Sequence, residues 1–223
     1  MKLSGRTIQI LKNFSTINQS LWFKQGNVIK TAASLRTTMA KATVQEQFDM
    51  EFGIYDLSRF LGVLTLFNEP DVKVTPTHLV IDENGSKVNI THVSKEVIDR
   101  DVDSMYTKNI VLPSVDVSFQ VTSEQLLALI KALSVLQLPH ICVCGESGKL
   151  IVRATDCSNA TANRYELDIG TTKEEFQVVF KSENMKMLQD TYTWNISFGG
   201  IGHFVSSDIE YWVAAESKLS KRG

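Results

Sequence analysis

The sequence predicts an α+β protein of two topologically similar domains, with extensive antiparallel sheet and a few helices. Two observations lead there. Stretches with apolar residues at helical spacing alternate with runs of short strand-like segments. The order helix, strands, helix, strands then occurs twice. Predicted helices begin near Ser4 and Asp56, and again near Ser123 and Ser182, at near-equal offsets. The halves share no obvious residue identity. Leu112-Pro113-Ser114 is the expected connector, which gives domains of residues 1–112 and 113–223.

The first helix is expected from Ser4 to Ile17. Leu3, Ile10, Leu11, Phe14 and Ile17 form its apolar stripe, and Ser4 is placed to cap it. Strands are expected over Val28–Leu35, Met39–Val44 and Phe48–Tyr55. The second helix is expected over Asp56–Phe67, capped by Asp56, with Leu57, Phe60, Leu61, Leu64 and Phe67 inward. Its opposite face, Ser58, Arg59, Gly62 and Thr65, holds one base and no acid. Strands at Val72–Val74, His78–Ile81, Lys87–Val93 and Phe119–Val121 lead to a third helix over Ser123–Leu136. There Thr122 and Gln125 have capping-box spacing. Strands at Ile141–Cys144, Leu150–Ala154, Arg164–Ile169 and Phe176–Phe180 precede a short fourth helix, Ser182–Gln189. Tyr192–Ile196, His203–Val205 and Tyr211–Ala215 close the chain. Asn84-Gly85, Gly145 to Gly148 and Gly199-Gly200 mark turns.

The 223 residues are 43% hydrophobic and 22% charged, ordinary values for a globular protein. The apolar runs are too short for a membrane span, and the start lacks the apolar stretch of a secretory signal, so a cytosolic protein is expected. Three cysteines, Cys142, Cys144 and Cys157, fit reduced thiols; the first two, two apart on a strand, are expected to face a core. The formal net charge is -2 but is unevenly spread. Lys2, Arg6, Lys12, Lys24, Lys30, Arg36 and Lys41 precede the first acid, Glu46, while the segment from Glu46 to Phe119 is strongly acidic. A basic front segment on an acidic body points to a local surface for a polyanion.

Catalytic constellations are missing. Gly145-Glu146-Ser147-Gly148-Lys149-Leu150 fails as a phosphate loop, because Val143 stands where the first glycine belongs and Leu150 replaces the Ser/Thr. A hairpin turn is expected instead. His78, His92, His140 and His203 are scattered, without metal-ligand spacing. Asp99, Asp101 and Asp103 alternate along an expected solvated loop. The expectation is no catalytic residue, no metal and no cofactor.

Four motifs, in order, carry a resemblance. Met1-Lys2-Leu3-Ser4 with Leu11-Lys12-Asn13-Phe14 and Thr16-Ile17-Asn18 resembles the opening of T-even-type bacteriophage DNA polymerase sliding clamps. Tyr55-Asp56-Leu57 with Phe60-Leu61-Gly62 and Leu64 resembles that family's second helix. Asn184-Met185-Lys186-Met187 is similar to its fourth, and Tyr211-Trp212-Val213-Ala214-Ala215-Glu216 to its closing strand. The stretch from about Thr75 to Ser118 departs from the pattern. The resemblance implies a homotrimeric ring around duplex DNA in the infected host cell, with helices lining the hole and sheets outside. It further implies loading by an ATP-driven clamp loader, tethering of the replicative DNA polymerase, and late transcription factors as partners.

Within that frame, Lys2, Arg6, Lys12, Arg59, Lys131 and Lys186 are the expected DNA-facing bases, giving phosphate contacts without base readout. Ile110, Val111, Leu112, Pro113 and Trp212, near the connector and closing strand, are the expected partner-peptide pocket. The alternative is a nucleic-acid-associated binding module that forms no ring. A carboxylate-based nuclease is disfavoured for lack of a metal constellation.

Overall fold

The computed structural model describes residues 1–99, 102–107 and 110–222. The chain divides into two compact units, Met1–Ser34 with Met39–Asn109, and Leu35–Thr38 with Ile110–Gly223. This division differs from one at 112/113 by Ile110–Leu112 and by the Leu35–Thr38 segment. That segment joins the second unit because the Thr38 hydroxyl donates to the Asn184 carbonyl at 2.7 Å and the Ala214 N–H donates to the Thr37 carbonyl at 2.9 Å.

In the first unit, α1 (Gly5–Ile17) starts where the Ser4 hydroxyl accepts from the Thr7 N–H. β1 (Leu21–Phe23), β2 (Gly26–Ala32), β3 (Thr38–Phe48) and β4 (Phe52–Ile54) follow. α2 (Leu57–Leu64) is capped by Asp56, whose carboxylate accepts from the Arg59 N–H at 2.9 Å. Then come β5 (Asp71–Val74), β6 (His78–Glu83) and β7 (Ser86–Thr91), and two short helices, α3 (Lys95–Ile98) and α4 (Val102–Thr107). The strands pair antiparallel in the order β4-β1-β2-β3, and separately β5-β6-β7. α1 packs against α2. Ile10, Leu11 and Phe14 from α1 and Leu57 and Phe60 from α2 are buried with Phe23, Phe48, Phe52, Val72 and Leu79 from the strands.

The second unit opens with β8 (Val117–Val121) and α5 (Ser123–Leu136). The Thr122–Gln125 capping box forms as expected, with both reciprocal bonds present. β9 (His140–Glu146), β10 (Lys149–Thr155), β11 (Arg164–Thr171) and β12 (Phe176–Lys181) are followed by a 3₁₀ turn over Ser182–Asn184. β13 (Tyr192–Ser197), β14 (Ile201–Val205), β15 (Ile209–Ala214) and β16 (Lys221–Arg222) complete it. One set of strands runs β11-β10-β9-β12-β16 and another β15-β14-β13-β8, all antiparallel. Trp194, Tyr192, Tyr211, Phe180 and Phe204 fill this core.

The two units repeat one topology. The order β4-β1-β2-β3 of the first reappears as β12-β9-β10-β11 in the second, and β5-β6-β7 as β13-β14-β15. Even the lead-in matches. β8 pairs with β13, and in the first unit Met1 pairs with β5, its amino group donating to the Val72 carbonyl and its carbonyl accepting from the Val72 N–H.

The expected fourth helix is corrected. Only Ser182–Asn184 turns, as 3₁₀. The chain beyond it is committed elsewhere: the Leu188 N–H donates to the Tyr211 hydroxyl and its carbonyl accepts from the Tyr192 hydroxyl. Met185 and Met187, two apart, are both buried, a spacing that belongs to extended chain. α2 also ends before Phe67, because Thr65, Leu66 and Phe67 turn tightly with i−3 hydrogen bonds. The alternation of β3 continues unbroken to Phe48, so the break expected over 45–47 falls instead at 49–51. The Gly145–Gly148 hairpin is present, with Ser147 and Gly148 both at positive φ. Cys142 and Cys144 are buried on β9. Of the acidic triplet, Asp99 caps α3, Asp103 pairs with Lys24 and Lys95, and Asp101 lies outside the described residues. No group of His, Cys, Asp and Glu among the described residues is arranged to hold a metal ion. No helix among them is long and apolar enough to cross a membrane.

Candidate functional site

Two surfaces carry the expected residues: the helical faces and the neighbourhood of Ile110–Asp116. In the first unit, α1 and α2 adjoin and neither contains an acidic residue. Their bases are Arg6, half-buried, and Lys12 and Arg59, exposed. Arg59 leans toward the capping Asp56 at 3.8 Å but stays 80% exposed. Lys2, just before α1, donates to Glu69 at 2.8 Å, and that bond raises its pKa. Its charge is therefore partly offset.

The α1 face is set from below by Glu46 on β3. Its carboxylate accepts from the Ser4 N–H and from the Thr7 hydroxyl at the start of the helix. α1 has no acid of its own in its first turn. Glu46 therefore supplies the negative charge that complements the helix N-terminus while remaining under the helix. Burial pushes its pKa up, but the hydrogen bonds from Thr7 and Ser4 outweigh that and hold it below the ordinary value.

In the second unit, Lys131 is exposed on α5, which packs on β10 and β11. Lys186 is half-buried beyond the 3₁₀ turn and not on a helix. The structure thus brings Arg6, Lys12 and Arg59 onto two adjoining helices and places Lys186 on irregular chain.

Ile110–Asp116 has no regular structure. Val111 is exposed, Ile110 and Leu112 are half-buried, and Pro113 lies against Gly199. Trp212 sits on β15, stacked on the His203 ring at 4.5 Å. None of these five lines the nearby cleft of about 500 Å³ formed by Ser114, Asp116, Gln177, Val178, Phe198, Gly199, Gly200, Ser217, Ser220, Lys221 and Arg222. Phe198 is its aromatic surface, packed on Phe176 at 5.0 Å with the Arg222 guanidinium over its ring at 5.0 Å. The Asp116 carboxylate accepts from the Ser114 hydroxyl at 2.6 Å and from the Phe198 N–H at 2.7 Å, and these bonds lower its pKa. Sequence reasoning missed this cleft because its walls come from chain segments far apart, and pairing of Lys221–Arg222 with β12 gives no local signal.

Similarity to known proteins agrees with the fold. Residues 3–112 match the family DNA polymerase processivity factor, and residues 118–217 match the family gp45 sliding clamp, C terminal. The sliding clamp of Enterobacteria phage T4 is 30% identical over 97% of both chains. That of Vibrio phage KVP40 is 28% identical over 97% of this chain and 100% of its own. Among solved structures, a chain in the complex of A. fulgidus PCNA with the C-terminal region of FEN-1 is similar in fold, with a TM-score of 0.69 at 10% identity over 94% of each chain. The chain belongs to the sliding clamp family of phage DNA polymerase processivity factors.

Proposed function

We propose that three copies of this chain close into a ring around duplex DNA and tether the replicative polymerase to its template. The observation that carries this reading is the duplicated strand order, which gives each copy two equivalent modules with equivalent edges. Among the described residues, β7 hydrogen-bonds only to β6 and β11 only to β10. Two such edges on one chain suit head-to-tail pairing of copies, which closes when the rotation per step is a simple fraction of a turn.

A ring separates two demands that one adhesive surface cannot meet. Tight phosphate contacts hold a protein but slow its movement and make it sensitive to salt. Enclosure prevents escape while a sparse basic wall permits sliding. Arg6, Lys12 and Arg59 on α1 and α2, with Lys131 on α5, supply such a wall. Lys2 contributes less because of Glu69, and Lys186 less because of its position.

The cleft beside Asp116 takes the partner peptides in this reading. The aromatic face of Phe198, with Lys221 and Arg222 at hand, suits a short segment with apolar side chains and an acidic group or free carboxylate. Polymerase, clamp loader and late transcription factors would use it in turn. The pocket centres on Phe198 and Arg222, with Pro113 at its margin, and Trp212 outside it.

Solution mass separates a ring from a single-copy binding module. A clamp runs near three times 25.0 kDa, whereas the module runs near 25.0 kDa. A chain that stays single at every concentration overturns the ring.

A further inference from the structure

We propose that Cys142 and Cys157 form a redox-responsive thiol pair that closes to an intramolecular disulfide on reaction with a low-molecular-weight disulfide. Their sulfurs lie 2.8 Å apart, and they come from different parts of the second unit: Cys142 from the centre of β9, Cys157 from the segment after β10. Cys142 is fully buried and Cys157 is half-exposed, so an oxidant reaches the pair through Cys157. The Cys157 backbone is fixed by donation of its N–H to His140 Nδ1 at 3.1 Å. Cys144 lies on the same face of β9, but its sulfur has the Arg153 guanidinium at 3.9 Å rather than a second thiol.

The thiols differ in the way a two-step exchange requires. The hydrogen bond from Cys142 lowers the Cys157 pKa, and the same bond together with burial raises that of Cys142. Burial pushes Cys144 up to about 12. The Cys157 thiolate attacks one sulfur of the small disulfide, forming a mixed disulfide and releasing one small thiolate. Cys142 then loses its proton and attacks the Cys157 sulfur, forming the internal disulfide and releasing the second small thiol. The two electrons pass to the small disulfide, which leaves as two thiols. The exposed thiol attacks and the buried one resolves. Neither step depends on the ring.

The test incubates the folded full chain with oxidised glutathione, blocks remaining thiols with iodoacetamide after denaturation, and maps tryptic peptides. The expected product joins segments 132–149 and 154–164, with Cys144 alkylated. Cys144→Ser keeps this cross-link, Cys142→Ala leaves glutathione on Cys157, and Cys157→Ser leaves no adduct at Cys142. The wild-type map is decisive even if a core variant fails to fold. Stable glutathione on wild-type Cys157 without the cross-link, a cross-link through Cys144, or three unreacted thiols overturns the proposal.

Discussion

The Thr7 hydroxyl donates to the Glu46 carboxylate, joining the first turn of α1 to β3 two residues short of its end at Phe48. The Ser4 N–H donates to the same carboxylate, so one buried acid holds the start of the helix that carries Arg6 and Lys12.

Glu46→Gln keeps the shape but removes the charge that these donors address. Hydrogen bonds to a charged group are worth about 1.5–3 kcal/mol, and a loss of that order is expected at neutral pH from chemical denaturation. The sign of the pH dependence follows from the lowered pKa. The stabilisation is complete above the ordinary glutamate value of 4.5 and disappears as pH falls through the folded value. The gap between wild type and variant should therefore narrow in acid. A gap constant from neutral pH to strong acid would count against this role.

Tyr106, on α4, stands in for a missing rung between β1 and β2. Its hydroxyl donates to the Trp22 carbonyl at 2.7 Å and accepts from the Lys30 N–H at 3.1 Å. Burial raises its pKa. Tyr106→Phe leaves two backbone groups without that partner and should lower stability by about 1–3 kcal/mol, read as a drop in the urea midpoint at unchanged slope.

Lys12→Glu combined with Arg59→Glu reverses charge on the α1–α2 face. Affinity for duplex DNA should fall several-fold and its salt dependence should flatten, while solution mass is unchanged. Unaltered affinity and salt slope would remove these helices from the DNA-facing wall.

Phe198→Ala and Arg222→Glu each change a residue that lines the cleft. Each should weaken binding of the polymerase's clamp-binding peptide at least about tenfold, near 1.4 kcal/mol, measured by calorimetry. The same change at Trp212, outside the cleft, should have little effect on that binding.

The parts that were legible in the sequence are local. Ser4 and Asp56, and the Thr122–Gln125 box, mark helix starts because capping uses residues within one turn. Asn84-Gly85 and Ser147-Gly148 mark hairpins because their backbones need positive φ. What escaped depends on distant partners. The segment from Ser182 to Gln189 has helix-compatible residues, yet Thr38, Tyr192 and Tyr211 take up its backbone groups. The short helices α3 and α4 sit in a polar stretch without periodicity and are held by Tyr106 and by Asp103 paired to Lys24 and Lys95. Of the expected residues, the placement of Arg6, Lys12 and Arg59 on two helices could be read from helical spacing. The cleft could not, since Ser114, Phe198 and Arg222 meet only after the sheets form.

Retention on DNA after loading tests enclosure most directly. With the replicative clamp loader and ATP, the protein should stay on closed circular duplex through a high-salt wash and fall off once the circle is linearised. Equal release from both forms would show that adhesion, not confinement, holds it, and would contradict the ring.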